Sequence, residues 1–441
     1  MQRVGPLWLT CVLEYMIVLW GELAMLYYRR NLLILSTTVF LASMSWSQIM
    51  PFLPLFLQDI GVKHNLLRWS GLIFAAHPVA AMFAQPAWGK LGDKYGRKAM
   101  VIRAGFCLGC IYFAMSFCTS PWQLVLLRFI NGALTGFIPG SYALIATNTP
   151  QEIAPRAVAI AQTASATGMI IGPAIGGLLA HIFGYHGSMR VSGAAVLFAT
   201  LLVWLLVKEM HKPSASEEQT SLFQDFLTAL DSPILKSILL TVALCGTFAA
   251  AINPILALHL KQLSGTAPIW LTGAIFSLPG LAFTVSAYLW TAFGERNDHR
   301  IAINIGLAGT FILAFLLYFI HNLWIFAVTY FTAGLCLAAI TPSASAIICT
   351  RVDADFHGRA YGLQQSASML GALVAPLASG FVGTAFGIPS VFIMVSGLFM
   401  AGLIAINTIF KRWPLPAASA APAAPAAGEA AGTRTRARRC S

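Results

Sequence analysis

The chain has 441 residues, of which 58% are hydrophobic and only 10% are charged, whereas a soluble globular protein carries about 25% charged residues. This composition excludes a soluble globular protein and indicates a chain that crosses a membrane many times. The formal net charge of +12 does not indicate nucleic-acid binding, because basic residues of membrane proteins concentrate in cytoplasmic loops. The eight cysteines form no cluster with His or acidic residues, so we expect no metal ion and no cofactor.

Residues 1–30 are predicted to form an N-terminal extension. The segment 7–26 is apolar, but it holds Glu14 and Glu22, and an acidic residue is costly at the centre of a membrane helix. The segment also lacks the small-residue cleavage site of a signal peptide. Two interpretations stay open: an upstream extension of the start site, with Met25 as the alternative start, or a helix at the membrane interface. We assign no function to it.

From residue 31 onward, apolar segments recur regularly, and each is close to the length of about 20 residues that a membrane helix needs. They predict twelve membrane spans, at residues 31–57, 70–88, 99–118, 122–147, 157–182, 190–208, 234–260, 268–292, 301–320, 322–349, 361–385 and 388–410. Most Lys and Arg residues then fall on one side of the membrane, and only Lys63, Arg68, Arg190 and Lys261 fall on the other. We therefore expect both ends of the twelve-span unit in the cytoplasm and the protein in the cell (inner) membrane.

The twelve spans divide into two halves of six. A charged linker at residues 209–233 separates a predicted N-terminal bundle (31–208) from a predicted C-terminal bundle (234–410), and an Ala- and Pro-rich tail (411–441) is expected to be disordered. Three pairs of matching residues lie 203 positions apart, namely Pro51 and Pro254, Arg156 and Arg359, and Pro173 and Pro376. The predicted fold class is an all-α membrane protein with two pseudo-symmetric six-helix bundles, an architecture of transporters that rock one half against the other.

The connection between the second and third spans reads Gly89-Lys90-Leu91-Gly92-Asp93-Lys94-Tyr95-Gly96-Arg97-Lys98. Its glycines permit a tight turn, and Asp93 can face a helix N-terminus, where the macrodipole favours an anion. A loop that only sets membrane topology needs the basic residues, but it needs neither Asp93 nor the three glycines. The pattern therefore favours a further role for this connection.

Polar residues inside the spans mark the candidate transport pathway, because such residues face the interior of the bundle. Arg128 is the only Lys or Arg well inside a predicted span; the alternative to a position at the pathway is that its side chain extends to the membrane interface near Trp122. All fifteen Asp and Glu residues lie in loops, at helix ends or in the first 24 residues, so His77 is the candidate proton carrier and His259 the second choice. A lone His in an apolar helix is, however, more often a hydrogen-bonded structural residue than a proton carrier. The other candidate lining residues are Gln48, Asn131, Asn253 and Gln85.

The fifth span contains Gly168-Met169-Ile170-Ile171-Gly172-Pro173-Ala174-Ile175-Gly176-Gly177. Gly168, Gly172 and Gly176 lie along one stripe of a helix, which lets a second helix approach closely. Pro173 bends the helix axis and frees a carbonyl that neighbouring helices must satisfy. We expect this stretch to be a packing seam and a pivot.

The three stretches resemble signature motifs of the major facilitator superfamily. Residues 89–98 are similar to its loop between spans two and three, Arg128 lies in a stretch similar to its fourth-span motif, and residues 168–177 fill every fixed position of its fifth-span antiporter motif. Segments 50–55 and 144–147 further resemble the twelve-span drug:proton antiporters. The resemblance implies a conformational latch between the halves, an arginine that binds a substrate anion or biases a proton site, and a pivot. The implied latch residues are Gly89, Asp93, Gly96, Arg97 and Lys98, and the implied pivot residues are Gly168, Gly172, Pro173, Gly176 and Gly177.

The resemblance also implies secondary active efflux of a small organic molecule from the cytoplasm, driven by proton antiport. Two alternatives stay open: a dedicated exporter of one endogenous metabolite such as a siderophore, and a non-transporting membrane receptor. An enzyme is not expected, because the sequence shows no nucleophile with its base, no metal-ligand cluster and no phosphate-binding loop. The expected partners are the substrate, protons and membrane lipid, and we expect a monomer.

Overall fold

The computed structural model describes residues 7–134, 136–151, 153–209, 232–265, 268–352 and 357–412. The described residues form helices and short connections, with no strand among them. The helices are α1 (Leu7–Ile49), α2 (Leu53–Asp59), α3 (Leu66–Tyr95), α4 (Arg97–Met115), α5 (Pro121–Ala133), α6 (Phe137–Asn148), α7 (Ala154–Leu206), α8 (Pro233–Ser264), α9 (Ile269–Asn297), α10 (His299–Phe319), α11 (Leu323–Leu337), α12 (Ile340–Arg351), α13 (His357–Phe386) and α14 (Ser390–Arg412).

The helices account for the twelve predicted membrane spans. In the described part of the chain, eleven helical stretches are long and apolar enough to cross a membrane. One of them, α7, contains 53 residues and is broken at Gly184, whose φ of 70° and ψ of 176° are not helical. The helix α7 therefore supplies two spans. Three other spans consist of interrupted helices, α1 with α2, α5 with α6, and α11 with α12.

Two helix boundaries differ from the prediction. The helix α1 begins at Leu7, so the predicted extension continues into the first span without a break, because no proline interrupts this segment. The helix α3 continues to Tyr95 and α4 begins at Arg97, so a single residue, Gly96, connects the second and third spans. The linker positions 210–231 and the tail positions 413–441 lie outside the described residues.

Equivalent hydrogen bonds in the two halves show the predicted pseudo-symmetry. The indole Nε1 of Trp88 in α3 donates to the carbonyl of Ala133 at 2.6 Å. The indole Nε1 of Trp290 in α9 donates to the carbonyl of Leu335 at 2.8 Å. The two donors lie 202 residues apart in the sequence, and so do the two acceptors. This shift is one residue smaller than the shift between the matched proline and arginine pairs. The second half thus repeats the first at the level of single hydrogen bonds.

The two bundles contact each other through two pairs of glycines. A Cβ built on Gly71 of α3 would lie 3.2 Å from the Cα of Gly380 in α13, and a Cβ built on Gly273 of α9 would lie 3.2 Å from the Cα of Gly177 in α7. Glycines allow such close approach because they carry no side chain. All four glycines lie near the predicted external ends of their membrane spans, so the bundles are packed together at that end.

A buried apolar cluster extends across the same end of the molecule. Phe52 and Leu55, from the N-terminal half, belong to the same cluster as Ile255 of α8. The hydroxyl of Ser70 donates to the carbonyl of Pro254 at 2.8 Å beside it. Apolar packing and a buried hydrogen bond therefore hold the two halves together at the predicted external end.

Candidate functional site

Arg128 lies in α5, and only 2% of its surface is exposed. Its guanidinium Cζ lies 4.7 Å from the centroid of the Trp46 ring, its Nε donates to the carbonyl of Ile73 at 3.5 Å, and its Nη2 lies 3.6 Å from the sulfur of Met50. Among the described residues, Nη1 has no hydrogen-bond partner and no carboxylate pairs with the guanidinium. A buried cation with so few acceptors favours an anionic or electron-rich partner.

Trp46 connects Arg128 to a cavity inside the N-terminal bundle. The ring of Trp46 lies 4.5 Å, centroid to centroid, from the ring of His77. His77, Trp46 and Asn131 line a cavity of about 160 Å³. Within the described chain, Nε2 of His77 and both amide atoms of Asn131 have no hydrogen-bond partner. Most of the other lining residues are apolar, among them Ala104, Leu108, Ile111 and Met169.

A second cavity of about 380 Å³ adjoins the first one at the predicted cytoplasmic end. Gly136 and Pro139 line both cavities and lie where α5 ends and α6 begins. Gly136 has a φ of 131°, a conformation that glycine adopts readily, so the interruption of the fourth span separates the cavities. Arg97 and Arg103 line the larger cavity, and the Cζ of Arg103 lies 3.3 Å from the centroid of the Trp88 ring.

Two other predicted pathway residues lie away from the small cavity. Gln48 of α1 donates from Nε2 to the Oγ of Ser192 in α7 and is not among the residues that line either cavity. Asn253 is half-buried in α8 of the other bundle, while Gln85 lines the larger cavity. The structure therefore brings Arg128, His77 and Asn131 together around Trp46, but not Gln48 and Asn253.

His259, the second candidate proton carrier, lies in a pocket of aromatic rings in the C-terminal bundle. Its ring centroid lies 5.2 Å from that of Phe326 and 5.1 Å from that of Phe392. Neither ring nitrogen has a hydrogen-bond partner in the described part of the chain. The same part contains no group of three or more His, Cys, Asp or Glu side chains that could hold a metal ion.

The predicted latch differs from expectation in its backbone. Gly89 and Gly92 lie within the helix α3, so of the three glycines only Gly96, with a φ of 98°, forms the turn. The expectation that all three permit the turn is wrong, because α3 extends beyond the predicted end of the second span. The side chain of Asp93 lies outside the described part of the structure.

The N-terminus of α4 is capped by an acidic residue that sequence analysis did not identify. The carboxylate of Glu209 accepts from the backbone N–H of Arg97 at 2.7 Å and from that of Lys98 at 3.2 Å. The side chain of Arg97 donates to the carbonyl of Ala143 at 2.9 Å, and that of Lys98 donates to the carbonyl of Trp204 at 2.9 Å. These contacts connect the ends of helices within the N-terminal bundle.

The glycines of the fifth span face two different helices. The stripe that packs against α1 consists of Gly168, Gly172 and Gly176. A Cβ built on Gly176 would lie 2.8 Å from the Cα of Gln48 in α1, within the same bundle. A Cβ built on the next residue, Gly177, would lie 2.9 Å from the Cα of Trp270 in α9, in the other bundle, and the carbonyl of Pro173 also faces α9. The predicted packing seam is therefore internal to one bundle, and the contact between bundles uses the adjacent face.

Comparison with known proteins identifies the family of this chain. The family model described as Major Facilitator Superfamily matches residues 35–296 and 238–438. The multidrug resistance protein MdtG of Proteus mirabilis is 30% identical over 391 residues, which cover 87% of this chain and 95% of that protein. MdtG of Enterobacter lignolyticus is 28% identical over 390 residues, which cover 87% of this chain and 93% of that protein.

Two solved structures have the same fold. The nucleoside transporter NupG superposes with a TM-score of 0.73 at 15% identity and covers 86% of this chain and 99% of its own. A bacterial homolog of the human lysosomal transporter Spinster, in an inward-facing and occupied conformation, superposes with a TM-score of 0.75 at 12% identity and covers 87% of this chain and 97% of its own. The family match extends over more than half of the sequence, and the twelve-span fold agrees with it, so this multi-pass membrane protein belongs to the major facilitator superfamily.

Proposed function

We propose that this chain exports a small organic molecule from the cytoplasm in exchange for protons. The observation that supports this best is the position of the two cavities. They lie one behind the other between Arg128 and the predicted cytoplasmic end, whereas the bundles are packed together at the opposite end. A molecule that enters from the cytoplasm would stay bound in these cavities until the bundles separate at the external end, as alternating access requires. The names of the MdtG relatives support a multidrug type of efflux.

The charge of the small cavity favours neutral or anionic substrates. Arg128 is buried without a carboxylate partner in the described chain, and all fifteen acidic residues lie outside the predicted interiors of the spans. Arg128 contacts the cavity-lining Trp46 ring, so a substrate cation in the cavity, about 8–10 Å from the guanidinium, would be repelled by about 2 kcal/mol at an effective dielectric constant of about 20. An anion at the same place would be attracted by a similar amount.

In this proposal His77 carries the exchanged proton. It lines the cavity, and its Nε2 has no partner among the described residues, so a substrate and a proton would compete for the same small space. Competition of this kind couples the two movements, because binding of one disfavours the other. His259, which is enclosed by phenylalanine rings in the other bundle, provides a matched control.

The proposed conformational change separates the two glycine contacts between the bundles. Gly177 would move away from α9 and Gly71 away from α13, while the glycine stripe of the fifth span stays packed on α1. The latch around Asp93 would form contacts with the other bundle when the cytoplasmic side closes. We further propose the cell (inner) membrane as the location, with both ends of the twelve-span unit in the cytoplasm.

Inverted membrane vesicles test the proposal directly. With an acidic interior, vesicles that contain the protein should accumulate an anionic or neutral drug faster than vesicles without a gradient. His77→Phe should abolish this stimulation, whereas His259→Phe should retain it. Accumulation of a siderophore but of no drug would favour the dedicated exporter. If no compound of either kind accumulates in response to the gradient, proton-driven export is wrong.

A further inference from the structure

The small cavity of the N-terminal bundle carries hydrogen-bonding groups that no other described residue uses. Only 2% of Asn131 is exposed, yet neither its Nδ2 nor its Oδ1 has a partner in the described chain, and the same is true of Nε2 of His77. Buried polar atoms in folded proteins are almost always hydrogen-bonded. Three unpaired atoms around one cavity therefore indicate that a ligand or water completes them.

The size and walls of the cavity restrict what can enter. Its volume of about 160 Å³ is close to that of an engineered apolar cavity of about 150 Å³ in another protein, which binds one benzene ring. The indole of Trp46 supplies an aromatic surface, and Leu108, Ile111 and Met169 supply apolar ones. The space thus suits one six-membered ring that stacks on or packs beside an indole.

We propose that the cavity between Trp46, His77 and Asn131 is a subsite for a planar six-membered ring that carries neighbouring N–H and C=O groups, as in a lactam or a pyridone. The amide of Asn131 presents a donor and an acceptor side by side. A cis-amide presents the complementary acceptor and donor on one edge, so the two can exchange a pair of hydrogen bonds. This inference rests on the proposed function, because it treats the cavity as part of the site that binds the transported molecule.

Binding of two small probes to the purified protein in lipid nanodiscs tests the subsite without any proton gradient. The probes are 2-pyridone and N-methyl-2-pyridone, which differ in one N–H group, and saturation-transfer NMR measures their dissociation constants. A buried acceptor that loses its donor is costly, so 2-pyridone should bind at least about 10-fold more tightly. Equal affinities, as expected if the cavity holds only water, would overturn the proposal.

Variants separate hydrogen bonding from the bulk of the methyl group. Asn131→Leu removes both polar atoms at similar size and should bring the ratio of the two dissociation constants close to one. Asn253→Leu, in the other bundle, should leave the ratio unchanged. A ratio that persists in Asn131→Leu would show steric exclusion and overturn the proposal. A wild-type ratio of one overturns the proposal even if Asn131→Leu does not fold.

The outcome of the pyridone binding measurement is independent of the vesicle uptake measurement. Failure of gradient-driven uptake would leave the ratio of dissociation constants unaffected, because the binding measurement uses no gradient. A wild-type ratio of one together with intact uptake would remove the lactam subsite and leave proton-driven export in place.

Discussion

Replacing Gly177 by alanine should shift the protein away from the conformation described here. A Cβ at this position would lie 2.9 Å from the Cα of Trp270 and 3.2 Å from the carbonyl oxygen of Ile269. Carbon atoms pack at about 3.5–4.0 Å, so α7 and α9 would have to separate by at least about 0.6 Å. Overpacking of this kind costs about 1–3 kcal/mol. Because the clash exists only where the bundles meet, this cost should change the equilibrium between closed and open states by about 5- to 150-fold.

A cysteine at Ser70 reports this equilibrium. Ser70 is 1% exposed at the same end of the bundle interface, so a maleimide should alkylate Ser70→Cys in detergent micelles only when the bundles separate. Gly177→Ala should raise the alkylation rate about 5-fold or more. Gly176→Ala is the matched control, because its clash lies within one bundle; it should lower the free energy of unfolding by about 1–3 kcal/mol and leave alkylation unchanged. Equal alkylation in the parent and in Gly177→Ala, or an equal rise in both variants, would refute the reasoning.

Three further predictions concern residues in the N-terminal bundle. Arg128→Met should leave the free energy of unfolding unchanged or raise it, because a buried unpaired cation is replaced by an apolar side chain. The same variant should lower gradient-driven uptake of an anionic drug at least about tenfold. Equal losses of uptake for anionic and neutral drugs would contradict an anion-binding role. Glu209→Gln should lower the free energy of unfolding by about 1–3 kcal/mol, because two backbone N–H groups of α4 lose a charged acceptor, and the exposed Glu295→Gln, as control, should have no such effect. Trp88→Phe should destabilise the protein by about 0.5–2 kcal/mol more than Trp290→Phe in denaturant unfolding. Both variants lose one indole hydrogen bond, but among the described residues Trp88 also stacks with Arg103 and Trp290 with no arginine. Identical losses in the two variants would argue against the contribution of that stacking.

The membrane spans and the buried arginine were predictable because both depend on properties of the sequence itself. A stretch of about twenty apolar residues has few alternatives to a membrane helix. The number of spans could therefore be predicted even though some spans are interrupted and two share one helix. A charged side chain inside a span is expected to be buried in protein, since lipid cannot solvate it. Arg128 lies about a turn and a half from the start of its predicted span, so extension to the interface was the alternative, and the structure instead buries the side chain inside the bundle.

The partners of these residues were not predictable, because they depend on how each helix is rotated. An indole such as that of Trp46 can face either lipid or a neighbouring helix, so the sequence did not show that Trp46 contacts the buried arginine. Gln48 was expected in the pathway, but the rotation of α1 directs it to Ser192. Glu209 stands at the start of a charged segment, where an acidic residue normally faces solvent, and its contact with α4 depends on where α7 ends in space.

The two halves have the same backbone fold, but they carry different side chains at matched buried positions. At the shift of 202 residues that relates the two tryptophan hydrogen bonds, the positions matching Arg128, His77 and Asn131 hold Tyr330, Pro279 and Ala333. At this shift, the arginine, histidine and asparagine of the N-terminal half therefore have no counterpart of the same residue type in the C-terminal half. If the proposed function holds, substitutions in the N-terminal half should change substrate recognition, while matched substitutions in the C-terminal half should leave it unaltered.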